Sequence, residues 1–219
     1  MRIRYKPWAR AELEACPFYI DDPTQYKGKW QEVFEKKQPI HIELGCGKGS
    51  FIAELASSHL ETNYLAIDMV DAMLGLAKRN IEQTYAAKQI QTSNIYITRF
   101  DIERIFLMLE GRDKIERIYI NFCNPWPRGK HHKKRLTHTR QLEKYKEFLK
   151  DKAQIHFKTD DNTLFNESVG YFKNSGFEIV YQSYDLHAEK DTENIETEHE
   201  KMYTEEGIKI KKLIAIYHK

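Results

Sequence analysis

Short apolar runs alternate with amphipathic stretches along most of this chain. Residues 40–44 read as a strand that runs into ELGCGKG, and residues 51–58 as a helix. Residues 64–68 (YLAID) form a second buried strand. Val70, Met73, Leu74, Ala77, Ile81 and Tyr85 then recur at helical spacing and predict a long amphipathic helix. Further strands are expected at 94–98, 118–122 and 154–158, with a helix over 141–149. Leu164, Phe165, Val169 and Phe172 share one face of a helix that stops at Gly176. Residues 177–181 and 209–217 are rich in β-formers and follow each other without an evident helix, which predicts an antiparallel pair at one edge. The alternation elsewhere implies an α/β fold: a mostly parallel, Rossmann-like sheet with an antiparallel edge strand and helices on both faces. Residues 1–38 read as helical and irregular, punctuated by Pro7, Pro17 and Pro23. The simplest organisation is an N-terminal extension over 1–38 and one domain over 39–219.

Composition narrows the class. The chain has 219 residues, a length that fits one large domain, and its 41% hydrophobic content supplies a core. No apolar run approaches a membrane span. MRIRYKPWARAELEA carries charges with no apolar stretch behind them, so no secretory signal is expected. Cys16, Cys46 and Cys123 are odd in number and contain no Cys-x-x-Cys. They argue against a disulfide scaffold and a structural zinc site, and for a reducing, cytoplasmic setting. The net charge of +2 hides an uneven distribution: residues 128–135 (RGKHHKKR) are basic, and residues 185–206 are strongly acidic.

The glycine loop carries the first candidate chemistry. Glycines between a strand and a helix let the backbone turn and a ligand approach closely. The dinucleotide fingerprint G-x-G-x-x-G fails at one position, where Ser50 stands in place of the third glycine. Glu43, two residues before Gly45, suits a positively charged ligand group. Asp68 ends the second strand, where an acid meets ribose hydroxyls, and it equally suits capping of the following helix. Asp101 follows the third strand and reads either as a contact to an adenine amino group or as a helix cap. An acidic rim without a phosphate cradle favours a cationic ligand over ATP.

After the fourth strand comes Asn121-Phe122-Cys123-Asn124-Pro125-Trp126-Pro127. Two prolines stiffen the loop. Trp126 offers a flat face for a base, or a core residue under a turn, and Asn124 offers an amide to a base edge. With Arg128, Lys130, Lys133, Lys134 and Arg135 following as phosphate-attracting charges, the segment points to nucleic acid. His131 and His132 are adjacent and unsuited to one metal. His41-Ile42-Glu43 matches the H-x-E of zinc deaminases, but the P-C-x-x-C partner is absent.

Taken in order, ELGCGKGSF, NFCNPWPRGKHHKKRL, HFKTD and TEHE resemble the bacterial tRNA (guanine-N7)-methyltransferase family, from Ile40 onward; MRIRYKPWA is also similar to its members. The resemblance implies a class I methyltransferase fold, S-adenosyl-L-methionine as cofactor and tRNA as substrate, with methylation at guanosine 46 of the variable loop. It assigns the cofactor to Glu43, Asp68, Asp101 and Asn124, around a loop containing Gly45, Gly47 and Gly49. It assigns the substrate to Arg128, Asp160, Thr197, Glu198, His199 and Glu200. Asn124 is also the candidate catalytic residue. No metal and no membrane are implied, and the protein is expected to be a monomer or homodimer.

Two positions depart from the family pattern, which has Asp in place of Asn124 and Lys in place of Arg128. An amide oxygen is a poorer acceptor for the N1 and N2 protons of guanine than a carboxylate. Two alternatives therefore stay open: an adenine amino-group methyltransferase acting on RNA or DNA, and an RNA-binding homologue with weak or no turnover. Guanine N7 carries an in-plane lone pair and no proton, so direct in-line transfer needs orientation rather than a general base.

Overall fold

The computed structural model describes residues 5–189 and 194–219. In chain order the elements are α1 (Pro7–Glu14), β1 (Tyr19–Ile20), α2 (Trp30–Val33), β2 (Ile40–Leu44), α3 (Ser50–Ser58), β3 (Asn63–Asp68), α4 (Asp71–Ala87), β4 (Ile95–Arg99), β5 (Ile115–Asn121), α5 (Thr139–Lys146), β6 (Leu149–Thr159), α6 (Asn162–Asn174), β7 (Glu178–Ser183), α7 (Glu198–Glu205) and β8 (Lys211–Ile216). Short 3-10 turns sit between several of them, including Ile102–Leu107 and Gly129–Lys134.

The strands form a single sheet in the order β1-β4-β3-β2-β5-β6-β8-β7. All pairs are parallel except those made by β8, which runs antiparallel to β6 on one side and to β7 on the other. The antiparallel pair expected at one edge is therefore present, with β8 inserted between β6 and β7. Strand periodicity sorts the core into two layers. Leu65 and Ile67 of β3 and Ile42 of β2 join the layer under α5 and α6 with Leu142, Phe165 and Phe172. Tyr64 and Ala66 face the opposite layer, where Ile52 of α3 and Leu74 and Ile81 of α4 pack.

Residues from α1 through α2 are packed against this body. Ala9 and Leu13 of α1 are fully buried. β1 pairs with β4 through Tyr19↔Ile97 and Ile20↔Thr98, adding a strand that periodicity missed because it is only two residues long. Buried Trp30 donates from Nε1 to the Met108 carbonyl at 2.8 Å, and Asp113 accepts from the backbone N–H groups of Gly28 and Trp30. The acidic segment also differs from expectation. It contains α7, begun by a capping box in which Thr197 accepts from the Glu200 N–H and the Glu200 carboxylate accepts from the Thr197 N–H. The T-x-x-E spacing carried that signal, masked by the surrounding charge.

Strand order reverses direction between β2 and β5, which are neighbours in space. Ligands of open α/β sheets bind outside the carboxyl ends of strands at such a switch point. Register brings Glu43 opposite Tyr119, Asn121 opposite Lys158 and Asp68 opposite Arg99 along this rim.

Candidate active site

The loop between β2 and α3 turns through three left-handed glycines, with φ of 79° at Gly45, 54° at Gly47 and 72° at Gly49. Gly45 and Cys46 donate their N–H groups to the Ile67 carbonyl at 2.8 and 3.0 Å, which holds the loop to the end of β3. Gly49 does what the third glycine of a nucleotide loop does, although it is displaced by one position. A Cβ there would lie 2.7 Å from Ala77 Cβ and 2.9 Å from Ala77 Cα, so only glycine lets α3 start this close to α4. At Gly47 a Cβ would meet nothing within 4 Å, and at Gly45 only Leu136 Cδ1 at 4.0 Å. These two positions border open space.

Glu43 is 2% exposed. Its Oε1 accepts from Asn121 Nδ2 at 3.0 Å, while its Oε2 is buried without a partner. Burial pushes the carboxyl up to about 8, opposed by the Asn121 hydrogen bond and the field of Lys158. An unpaired buried carboxylate oxygen is costly, and a cationic or hydrogen-donating ligand group would remove that cost. Asp68 ties the glycine loop to the chain entering α4. Its Oδ2 accepts from the Gly47 N–H at 3.0 Å, and its Oδ1 from the Val70 N–H at 2.9 Å, just before α4. Burial raises its pKa, against those backbone hydrogen bonds. Asp101 caps the Ile102–Leu107 turn by accepting from the Glu103 N–H at 2.9 Å.

The lip after β5 is stiff. Phe122 and Trp126 both take positive φ, 50° and 43°. Asn124 is exposed, and its Oδ1 accepts from the Trp126 N–H at 3.0 Å, an Asx turn that leaves the amide NH2 as the remaining donor. Trp126 is half-buried. His131 meets its ring edge-on at 5.7 Å, and Lys134 Nζ lies 5.1 Å from its centroid. Arg128, Lys130, Lys133 and Lys134 are exposed.

Arg135 corrects the sequence reading. Expected to hold phosphate with its basic neighbours, it is 1% exposed, donates from Nε to the Pro125 carbonyl at 2.7 Å and pairs with Glu167 of α6. Periodicity could not find it, because a basic run in sequence gives no sign that its last member turns inward.

The chain matches, over residues 37–213, a family described as "Putative methyltransferase". It is 56% identical over 216 residues to the tRNA (guanine-N(7)-)-methyltransferase of Clostridium beijerinckii, with 99% of each chain covered. It is also 56% identical over 218 residues to the protein of that name from Ruminiclostridium cellulolyticum, covering 99% of this chain and 92% of that one. The chain belongs to the tRNA (guanine-N7)-methyltransferase family. Among solved structures it is similar to the 16S rRNA methyltransferase KamB, with a TM-score of 0.58, 11% identity and coverage of 99% of this chain and 96% of that one. A phosphoethanolamine N-methyltransferase 2 of Haemonchus contortus, in complex with S-adenosyl-L-methionine, has a TM-score of 0.53 and 10% identity over 83% of this chain and 49% of that one. At these identities the likeness is one of fold, the class I methyltransferase sheet.

The segment that the family resemblance assigns to substrate divides in two. Glu198 and His199 are exposed: Glu198 pairs with Lys48 of the glycine loop at 2.6 Å, and the His199 ring stacks on Phe122 at 5.9 Å. Thr197 and Glu200 are buried. Glu200 Oε2 accepts from Lys158 Nζ at 2.7 Å, and the same ammonium donates to Asn194 Oδ1 and the Ile195 carbonyl, both at 3.0 Å. α7 is thus pinned over the rim beside the lip. The half-buried Asp160 has its backbone carbonyl bonded to Lys211 Nζ at 2.7 Å. Sequence reasoning did not single out Asn121, Lys158 or Glu167; each acts through a contact to a residue far away in sequence. Among the described residues, no cluster of three or more His, Cys, Asp or Glu could hold a metal ion, and no helix is long and apolar enough to cross a membrane.

Proposed function

We propose that this chain methylates ring nitrogen 7 of guanosine 46 in the tRNA variable loop, using S-adenosyl-L-methionine. The observation that carries this reading is the unpartnered Oε2 of buried Glu43, beside a glycine loop whose Gly45 and Gly47 border open space. Those residues suit the group: Glu43 would hold its cationic amino-acid end, Asp68 its ribose and Asp101 its adenine. When bound, it supplies an electrophilic methyl on a sulfonium.

The chain's own residues supply orientation. Guanine N7 is a free lone pair, so no side chain has to remove a proton before attack. The Asn124 NH2, not used by the Asx turn, is a donor. Guanine presents an acceptor at O6 where adenine presents an amino group, so a donor at Asn124 favours guanine while N7 stays free to attack. Trp126 and Pro127 shape the pocket. Arg128, Lys130, Lys133 and Lys134 attract the RNA backbone, with Asp160, Thr197, Glu198, His199 and Glu200 completing the substrate side and residues 1–38 adding further RNA contact. Nearby acids offset the positive charge that develops on the purine. In this reading the protein works in the cytoplasm as a monomer or homodimer.

Labelled S-adenosyl-L-methionine with unmodified tRNA transcripts, followed by borohydride reduction and aniline scission, tests it. The expected result is cleavage at nucleotide 46. Label incorporation without scission would replace the reading with amino-group methylation, and no incorporation would leave an RNA-binding homologue.

A further inference from the structure

The buried Arg135 guanidinium joins two parts of the molecule that chain connectivity leaves independent. Its Nε holds the carbonyl of Pro125, between Asn124 and Trp126. Its NH1 pairs with Glu167 of α6 and lies 3.5 Å from the Tyr171 hydroxyl. Tyr171 donates to the same Glu167 oxygen at 3.0 Å, and His132 Nδ1 stands 3.3 Å from it. The Thr137 and Ser168 hydroxyls make a second tie between the same segments at 2.6 Å. α6 packs against β6, β7 and β8, so it is a fixed part of the body. At its start the lip is held by the Phe122 N–H to the Lys158 carbonyl at 2.9 Å and by the His199 ring on Phe122; beyond that it is a turn with positive φ at Phe122 and Trp126 and an Asx hydrogen bond internal to itself.

We propose that Arg135 and Glu167 are positioning residues: they clamp the Pro125 carbonyl to α6 and so fix where Asn124 and Trp126 meet the incoming base. A planar fork suits this work, because one guanidinium can reach a carbonyl and a carboxylate in fixed directions, which a lysine ammonium cannot reproduce. Neither residue touches the reacting atoms. The inference rests on the reading of this turn as the lip that receives the base, and it concerns how accurately the lip is held.

The test uses full-length protein labelled with 5-fluorotryptophan, whose 19F resonances from Trp8, Trp30 and Trp126 are assigned with Trp126→Phe. Arg135→Lys keeps the charge and loses the fork. Glu167→Gln, on a partly exposed position of α6, keeps the second half of the clamp testable if the first variant fails to fold. The expected result is a shifted or broadened Trp126 resonance with Trp8 and Trp30 unmoved. With it comes a fall in kcat for tRNA methylation of about 10²-fold, the scale of an ångström misplacement, and cofactor Kd unchanged within about twofold. A Trp126 resonance that stays in place in a folded variant overturns the clamp. A moved resonance with unchanged kcat overturns the positioning role. If no tRNA is methylated by the parent protein, it is the proposed activity that fails, while the Trp126 resonance still decides the clamp.

Discussion

Asn121 Nδ2 donates to Glu43 Oε1 across the junction of β5 and β2, at 3.0 Å, and the second Glu43 oxygen is left buried with no partner. One strand thus orients the carboxylate of the other and leaves half of it unsatisfied at the switch point of the sheet. That residual demand is what the proposed cationic ligand group would meet.

Stability against pH should carry two opposing slopes. Glu43 is raised to about 8, so its contribution is fully present below the unfolded carboxyl value near 4.5 and is lost as pH rises through 8. His41, whose Nδ1 is buried without a partner, is lowered to about 3 by burial and by Arg117. Its contribution is present above about 6.5 and is lost as pH falls towards 3. Thermal melts from pH 4 to pH 9 should show Glu43→Gln removing a loss of up to ~1.4 kcal/mol per pH unit between about pH 4.5 and pH 8. His41→Phe should flatten the acid side. A difference curve that is level with pH in both variants would contradict these assignments.

Gly49→Ala and Gly47→Ala should part ways. Both force alanine into positive φ, at a cost of about 1–2 kcal/mol. The Gly49 methyl must also displace Ala77 and the start of α3, adding about 1–3 kcal/mol of overpacking. The Gly47 methyl enters open space, next to the N–H that Asp68 accepts. Gly49→Ala should mainly lower Tm, whereas Gly47→Ala should weaken S-adenosyl-L-methionine binding more than it lowers Tm. Chemical denaturation and calorimetry on both variants check the split.

Lys133 and Lys134 stand outside the clamp and are exposed. Lys133→Ala with Lys134→Ala should weaken tRNA binding and reduce the slope of log K against log salt by about 2, one for each lost phosphate contact. Cofactor affinity should be unchanged. An unaltered salt slope would remove these lysines from the RNA surface.

The Lys158–Glu200 pair is buried on both sides and anchors α7. Removing one partner, as in Lys158→Met, leaves a buried charge and should cost about 3–5 kcal/mol, while replacing both by apolar residues should recover most of it. Urea unfolding of Lys158→Met, Glu200→Leu and the double variant reads this directly. A double variant that loses the sum of the two single losses would show that the pair is not coupled.

Much of this architecture was legible in the chain because burial leaves periodic marks. The strand at Ile40–Leu44 and the face Leu74, Ala77, Ile81 of α4 are spaced as the sheet and helix require. Glu43, Asp68 and the Asn124–Trp126 turn were marked by position relative to those elements. What was not legible depends on contacts between distant segments. Arg135 reads as one more basic residue until α6 is placed beneath it. The two-residue β1 has no period to detect. Glu200 sits in an acidic run, yet Lys158, some 42 residues earlier, draws it inward.

The central claim is that Glu43 and the glycine loop hold a cationic methyl donor. Calorimetric titration of the full-length protein with S-adenosyl-L-methionine at pH 7, in two buffers of different ionisation enthalpy, tests it most directly. With the Glu43 carboxyl near 8 before binding, capture of the cationic group should release close to one proton, and Glu43→Gln should abolish both the release and most of the affinity. Binding without proton release, unchanged in Glu43→Gln, would contradict the role given to Glu43, and an absence of binding heat in both buffers would contradict the account itself.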